Sequence, residues 1–266
     1  MSKKTVEETG PTLAVRICFE RILPDEMDPE RVARRRLGEQ MVAMRGASLK
    51  ADGVPEVMRM AVPLVKKWAP GTQLKCRFLE GSTKVKKKIE AVAHQWEPHA
   101  NIKFKFVASG PAEIRIALNK SDGSWSAVGR DALITTYFPL HQPTMNYGWL
   151  DETTPDEEYS RTVLHEFGHA LGCIHEHQGP KFTRVWNRDA VLRYFSGPPN
   201  YWSPEDIEHN VLSKYGTKGM KFSKYDPKSI MLYEFDAALF SDGLGPTNSN
   251  TKLSPTDISM IRSLYP

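Results

Sequence analysis

Residues 165–176 read HEFGHALGCIHE, and no other stretch restricts what this chain can become as tightly. His165 and His169 are four apart, so on an α-helix both imidazoles leave one face and can grip one metal ion. The helix is expected independently: Val163, Phe167 and Ala170 form an apolar stripe, and Gly172 supplies the left-handed residue that stops it. The sharp turn there lets His175 swing back as a third ligand. Three neutral imidazoles suit Zn²⁺ and leave a coordination position open for water. Glu166, beside His165 but outside the ligand set, is placed to take a proton from that water, whose pKa zinc lowers towards about 7. One catalytic Zn²⁺ is the expected cofactor, and metal-assisted amide hydrolysis the expected chemistry. A bare HExxH arises by chance, but Gly172 and His175 at fixed spacing extend this one well beyond that.

Strand and helix signals surround the motif. Residues 73–79 (QLKCRFL) read as a strand, 82–97 as a helix, and 101–107 (NIKFKFV) and 113–118 (EIRIAL) as alternating, half-buried strands. Asp122-Gly123 turns the chain, and 125–128 and 144–150 are further short strands, which together give an α+β pattern with a mixed sheet. Three helices open on a hydroxyl cap, then proline, then an acid, at Thr154-Pro155-Asp156, Ser203-Pro204-Glu205 and Ser254-Pro255-Thr256-Asp257. Upstream, Asp28-Pro29 opens a helix that Gly46 closes, and 47–56 (ASLKADGVPE) reads as a linker. The expected division is 1–55, an N-terminal extension or pro-segment of unknown role, and 56–266, a body of catalytic size.

Composition removes competing classes. A hydrophobic fraction of 40% over 266 residues can fill a real core. A net charge of +4, from 36 basic against 32 acidic residues, is too mild to argue for nucleic acid. The densest basic run, 84–88 (KVKKK), falls on a helix striped by Val85, Ile89 and Val92, so it reads as a solvated face. The longest uncharged stretch, 132–150, is broken by Pro139 and Pro143, so no membrane span is expected. Three scattered cysteines, Cys18, Cys76 and Cys173, cannot build a disulfide framework, and the first residues lack the apolar core of a signal peptide. The expectation is a monomer, intracellular or non-classically exported, whose partner is a protein or peptide substrate.

At this length the motif resembles the HExxHxxGxxH signature of metzincin zinc endopeptidases, and Glu176 after His175 is similar to the extended form of the astacin family. Ser229-Ile230-Met231-Leu232-Tyr233, after Tyr225-Asp226-Pro227, resembles the Met-turn of astacins and serralysins. The resemblance covers about residues 60–266 and implies a metzincin-like protease domain: a mixed five-stranded sheet over the active-site helix, with an irregular C-terminal subdomain from Gly172. It implies hydrolysis of internal peptide bonds with Glu166 as general base. Met231 becomes an apolar floor under the ligands and Tyr233 a stabiliser of the oxyanion. Trp125, Ser126, Ala127 and Val128 become the edge on which substrate adds as an antiparallel strand.

Departures are equally specific. Leu232 stands where astacins usually place histidine, three cysteines cannot form the two disulfides of that mostly secreted family, and no glycine-rich calcium repeat is present. In mature astacins the residue matching Glu176 meets a freed N-terminal ammonium; pairing with an internal Arg or Lys is the alternative here. Cys18 is either a zinc-capping thiolate or a small buried hydrophobe, and its flanks, which match no switch motif, favour the second. Arg34-Arg35-Arg36 reads as a solvated helix face rather than a processing site. Cys173 reads as core, and His177 as a neighbour of the ligands or a surface residue rather than a fourth ligand. Two other classes compete: a peptide-binding module without turnover, against which the intact Glu166 speaks, and a purely structural zinc site, which wants four protein ligands where the motif offers three.

Overall fold

The computed structural model describes residues 17–21, 23, 66–215 and 224–266. The helix expected over 28–46, the linker over 47–56, the boundary near 55 and Arg34-Arg35-Arg36 lie outside these residues.

Short strands form one mixed sheet in the order β2-β1-β3-β5-β4. They are β1 (Gln73–Phe78), β2 (Lys103–Phe106), β3 (Ile114–Ala117), β4 (Ser124–Ser126) and β5 (Met145–Tyr147). β1 pairs in parallel with β2 and β3, and β3 with β5; β4 runs antiparallel to β5 and forms the edge. A parallel pair needs a crossover, and α1 (Thr83–Ala93) makes the one between β1 and β2. Ser82 caps it, accepting from the Val85 amide, while Val85, Ile89 and Ala93 point into the core and the lysines stay on the solvent side as expected. The helix α2 (Asp156–Ala170) packs against the sheet, with Phe167 edge-to-face on Phe104 at 4.8 Å.

Two expectations change. β3 is buried along its whole length instead of alternating. Arg115, 2% exposed, can sit inside because its guanidinium donates to the carbonyls of Ala112, Phe138 and Gln142. Thr154 does not cap α2: its hydroxyl accepts from the Asp151 amide at 2.9 Å and reaches the Trp149 carbonyl at 3.2 Å, closing a turn before the helix begins. Pro155 stands at the cap position without a side-chain bond, and Asp156, Glu157 and Glu158 meet the helix dipole instead.

Gly172, at φ +90°, ends α2, and regular structure thins from there as the resemblance implies. The remaining helices are α3 (Arg188–Ser196), the single turn α4 (Pro204–Ile207) running into a π turn over Glu208–Leu212, and α5 (Pro255–Leu264). Ser203 and Ser254 build full capping boxes with Asp206 and Asp257. Phe182, Phe195, Phe235 and Phe240 fill the lower core with Val191, Ile207 and Leu239, while Ile261 and Tyr265 of the C-terminal end return to the upper one. Cys18, Cys76 and Cys173 are all free thiols. Among the described residues no helix is long and apolar enough to cross a membrane.

Candidate metal centre

Helical spacing and the Gly172 turn do what the sequence requires. His165, His169 and His175 are buried, and the Nε2 of His169 lies 3.1 Å from that of His165 and 2.9 Å from that of His175. The opposite nitrogens are held from behind: Nδ1 of His165 faces the Ile230 carbonyl at 2.8 Å, that of His169 the Cys173 carbonyl at 2.9 Å, and that of His175 the Gln178 amide oxygen at 2.9 Å. A ring that donates through Nδ1 turns the Nε2 lone pair to the common point. Burial first, and neighbouring imidazoles second, hold His165 and His175 well below the usual histidine range; burial also lowers His169. The donors are therefore neutral, as a metal requires.

A fourth donor arrives from 151 residues upstream of His169. The Cys18 sulfur lies 3.7 Å from His169 Nε2 and 3.6 Å from His175 Nε2, and the four ligand atoms of Cys18, His165, His169 and His175 all lie within 4.8 Å of one another. A tetrahedron built on ordinary zinc–nitrogen and zinc–sulfur bonds has nitrogen–nitrogen edges of about 3.3 Å and nitrogen–sulfur edges of about 3.6 Å. The residues present fit zinc. The expectation of Cys18 as merely a small buried hydrophobe is thus corrected: the thiol is buried, but against the imidazoles. Its placement comes from its neighbours, since Ile17 packs in the lower core and Leu23 with Trp125, Ala127 and Phe138 on the other side.

Glu166 is fully buried next to the ligands, and neither carboxylate oxygen has a hydrogen-bond partner among the described residues. Burial pushes its carboxyl up to about 8, with the nearby Cys18 thiol and Arg161 pulling the other way. The Tyr233 hydroxyl touches His175 Nε2 and donates to the Cys18 carbonyl at 2.9 Å, and it lies 3.0 Å from the Cys18 sulfur. Met231 is buried below, its sulfur filling the place a Cβ on Gly168 would take. Glycine within HEFGH is therefore a packing requirement as well as part of a helix. Glu176 accepts from the Asp226 amide at 2.8 Å, so the partner the structure gives it is main chain rather than an Arg or Lys, and burial lifts it to about 7. His177 is buried among Tyr233, Trp186 and Phe235 with Nε2 on the Asn210 carbonyl; it belongs to the lower core. Cys173 packs against the upper core, and its carbonyl orients His169.

Trp125 and Ser126 lie on β4, the sheet edge, and Ala127 and Val128 come directly after it. The N-terminal segment runs along that edge, with the Phe19 amide donating to the Ser124 carbonyl at 3.1 Å. Sequence reasoning missed Gln178 and the carbonyls of Ile230 and Cys173. Only Gln178 had a signal, lying three residues after His175 in the short turn Glu176–Gln178.

Two histidines and a glutamate on one helix, a glycine stop, a third histidine and a methionine turn beneath them are the arrangement of a metzincin zinc protease. The chain belongs to the astacin family: the profile of the Astacin peptidase family matches residues 61–266. It thus carries an astacin-family zinc metalloendopeptidase domain. A structure of myroilysin is similar at 41% identity and a TM-score of 0.72, covering 76% of this chain and 96% of its own. A crystal structure of myroilysin gives 38% and 0.59, covering 82% of this chain and 100% of its own. High choriolytic enzyme 1, a hatching enzyme zinc-protease of Oryzias latipes, the medaka fish, gives 20% and 0.49, covering 81% and 98%. No curated protein matches the chain.

Proposed function

We propose that this chain is a zinc-dependent endopeptidase hydrolysing internal peptide bonds of proteins. In the arrangement described it is latent, with Cys18 as fourth ligand of a single catalytic zinc. The observation that carries the reading is the set of four buried donor atoms within 4.8 Å of one another, with nitrogen–nitrogen edges of 2.9 and 3.1 Å and nitrogen–sulfur edges of 3.6 and 3.7 Å. Zinc there supplies Lewis acidity and an ionisable water near neutral pH. The chain's own groups supply the rest. His165, His169 and His175 hold the ion. Glu166, whose carboxylate a dication at the neighbouring histidines would keep ionised against the burial that raises it, takes a proton from the attacking water and passes it to the leaving amine. The Tyr233 hydroxyl donates to the developing oxyanion, Met231 keeps the floor apolar, and the β4 edge with Trp125, Ser126, Ala127 and Val128 holds the substrate main chain.

One segment blocks each requirement. The Cys18 thiolate takes the position water needs, the Cys18 carbonyl ties up the Tyr233 hydroxyl, and the Phe19 amide occupies the Ser124 carbonyl of β4. Residues 1–55 are on this reading an inhibitory pro-segment and 56–266 the peptidase domain. A purely structural zinc is disfavoured, because its fourth ligand comes from outside the matched family region, which itself offers three.

The test uses the full chain. One zinc per chain is expected, and cobalt substitution should give a sulfur-to-metal charge-transfer band. Cys18→Ser should lose the band and gain cleavage of a denatured protein. Cys18→Ser with Glu166→Gln should keep the metal and lose the cleavage. A band that survives Cys18→Ser overturns the ligation, and cleavage that survives Glu166→Gln overturns the general base.

A further inference from the structure

Resting on that peptidase reading, we propose that Asp122 and Trp125 form a subsite for a cationic side chain of the substrate, arginine above all. In the structure the chain's own Arg21 fills it. The Arg21 guanidinium carbon lies 3.9 Å from the Trp125 ring centroid, and Nη2 lies 2.6 Å from Asp122 Oδ2. A ring face and an anionic acceptor meeting one planar cation are the two elements of guanidinium recognition.

Both walls of the box come from the domain, and contacts other than Arg21 hold them. Trp125 is 1% exposed and stacks on Phe138 at 6.1 Å with an interplanar angle of 23°. Its indole nitrogen donates to Asp122 Oδ2 at 3.0 Å, so the carboxylate is aimed by a side chain that cannot turn. Gly123, at φ +58°, reverses the chain between Asp122 and β4 and sets that distance. The ion pair stays open to solvent, with side-chain exposures of 31% for Arg21 and 33% for Asp122, so a substrate side chain has access. Position favours the same use. Arg21 is three residues beyond Cys18, whose sulfur marks the metal, which puts the box roughly 10 Å along the cleft in extended chain. A peptide lying on β4 passes through it.

The experiment compares two labelled peptides of sequence Ile-Ser-Phe-Glu-Xaa-Ile-Leu, copied from residues 17–23 with serine for the cysteine, where Xaa is arginine or its neutral isostere citrulline. Each is titrated by fluorescence anisotropy against the full chain bearing Cys18→Ser and Arg21→Ala, which vacates the box. The resident segment competes equally with both peptides, so the affinity ratio survives the competition. About tenfold in favour of arginine is expected, falling to about one with Asp122→Asn. Equal affinities overturn the subsite. Quenched peptides with arginine or citrulline walked across the scissile bond give a second readout, and arginine should accelerate cleavage at a single position. A chain that keeps the binding ratio but cuts neither peptide breaks the peptidase reading and leaves the subsite standing. A chain that cuts both equally at every position breaks the subsite alone.

Discussion

The half of the molecule above the metal centre and the half below it are held together by different means. Above, a hydrogen-bonded sheet and two long helices enclose a core of Leu74, Ile89, Ile116, Val163 and Leu164, with Phe167 wedged on Phe104. Below, the main chain is mostly turns, a single bridge among the described residues joins Trp186 to Phe240, and packed rings of Phe182, Trp186, Phe195, Phe235 and Phe240 do most of the filling. The difference shows in the site. Its geometry-critical pair, His165 and His169, rides on the rigid half with Glu166, whereas His175 and Tyr233 hang on turns and are placed by packing and by Gln178. The histidine cluster and the segment 17–23 then link the halves, Ile17 lying in the lower core and Leu23 beside β4.

Three predictions sharpen that contrast. The largest effect is expected from truncating a buried ring in each half: Phe167→Ala and Phe235→Ala should each cost about 3–5 kcal/mol by denaturant unfolding. Hydrogen exchange should show the Phe167 loss in every protected amide, and the Phe235 loss confined to residues beyond Gly172. A Phe235→Ala variant that loosens α2 equally would erase the distinction. Next comes metal removal. A chelator should withdraw about 3 kcal/mol of linkage stabilisation, for free zinc near a hundred times its Kd, and amide protection should fall around His175 and Tyr233 more than in β1 and α1. The smallest effect belongs to Glu97, which sits in the upper half. Burial raises its carboxyl, but the Phe104 amide, then His94 and Lys103, more than reverse this and hold it below its ordinary 4.5. Below that value the unfolded chain binds the proton more tightly, so stability present above about 4.5 is lost as pH falls through the folded value. Glu97→Gln should flatten this acid limb by about 1 kcal/mol or less in unfolding titrations against pH.

How much was readable in advance depends on the range of the forces involved. The histidine trio was readable because i, i+4 spacing and a glycine stop act within one helical turn. Ser203 and Ser254 were readable as caps for the same reason, while the same pattern at Thr154 was captured by the turn at Asp151, a competitor on the N-terminal side that the cap rule does not see. The alternation of 113–118 promised a half-exposed strand because arginine is ordinarily outside; the carbonyl of Ala112 and two carbonyls from the loop before β5 made burial of Arg115 tolerable. Cys18 carried no local signal at all, since what brings it to the histidines is the docking of its neighbours on two separate cores.

By itself the amino-acid sequence set three imidazoles and a carboxylate at spacings that short-range geometry gathers about one point, and its resemblance to a family pointed to the methionine turn beneath them. Only the tertiary structure decided the state of that site. A tetrahedral ion accepts its fourth ligand from any part of the chain, and the spacing of residues says nothing about which part will be folded against it.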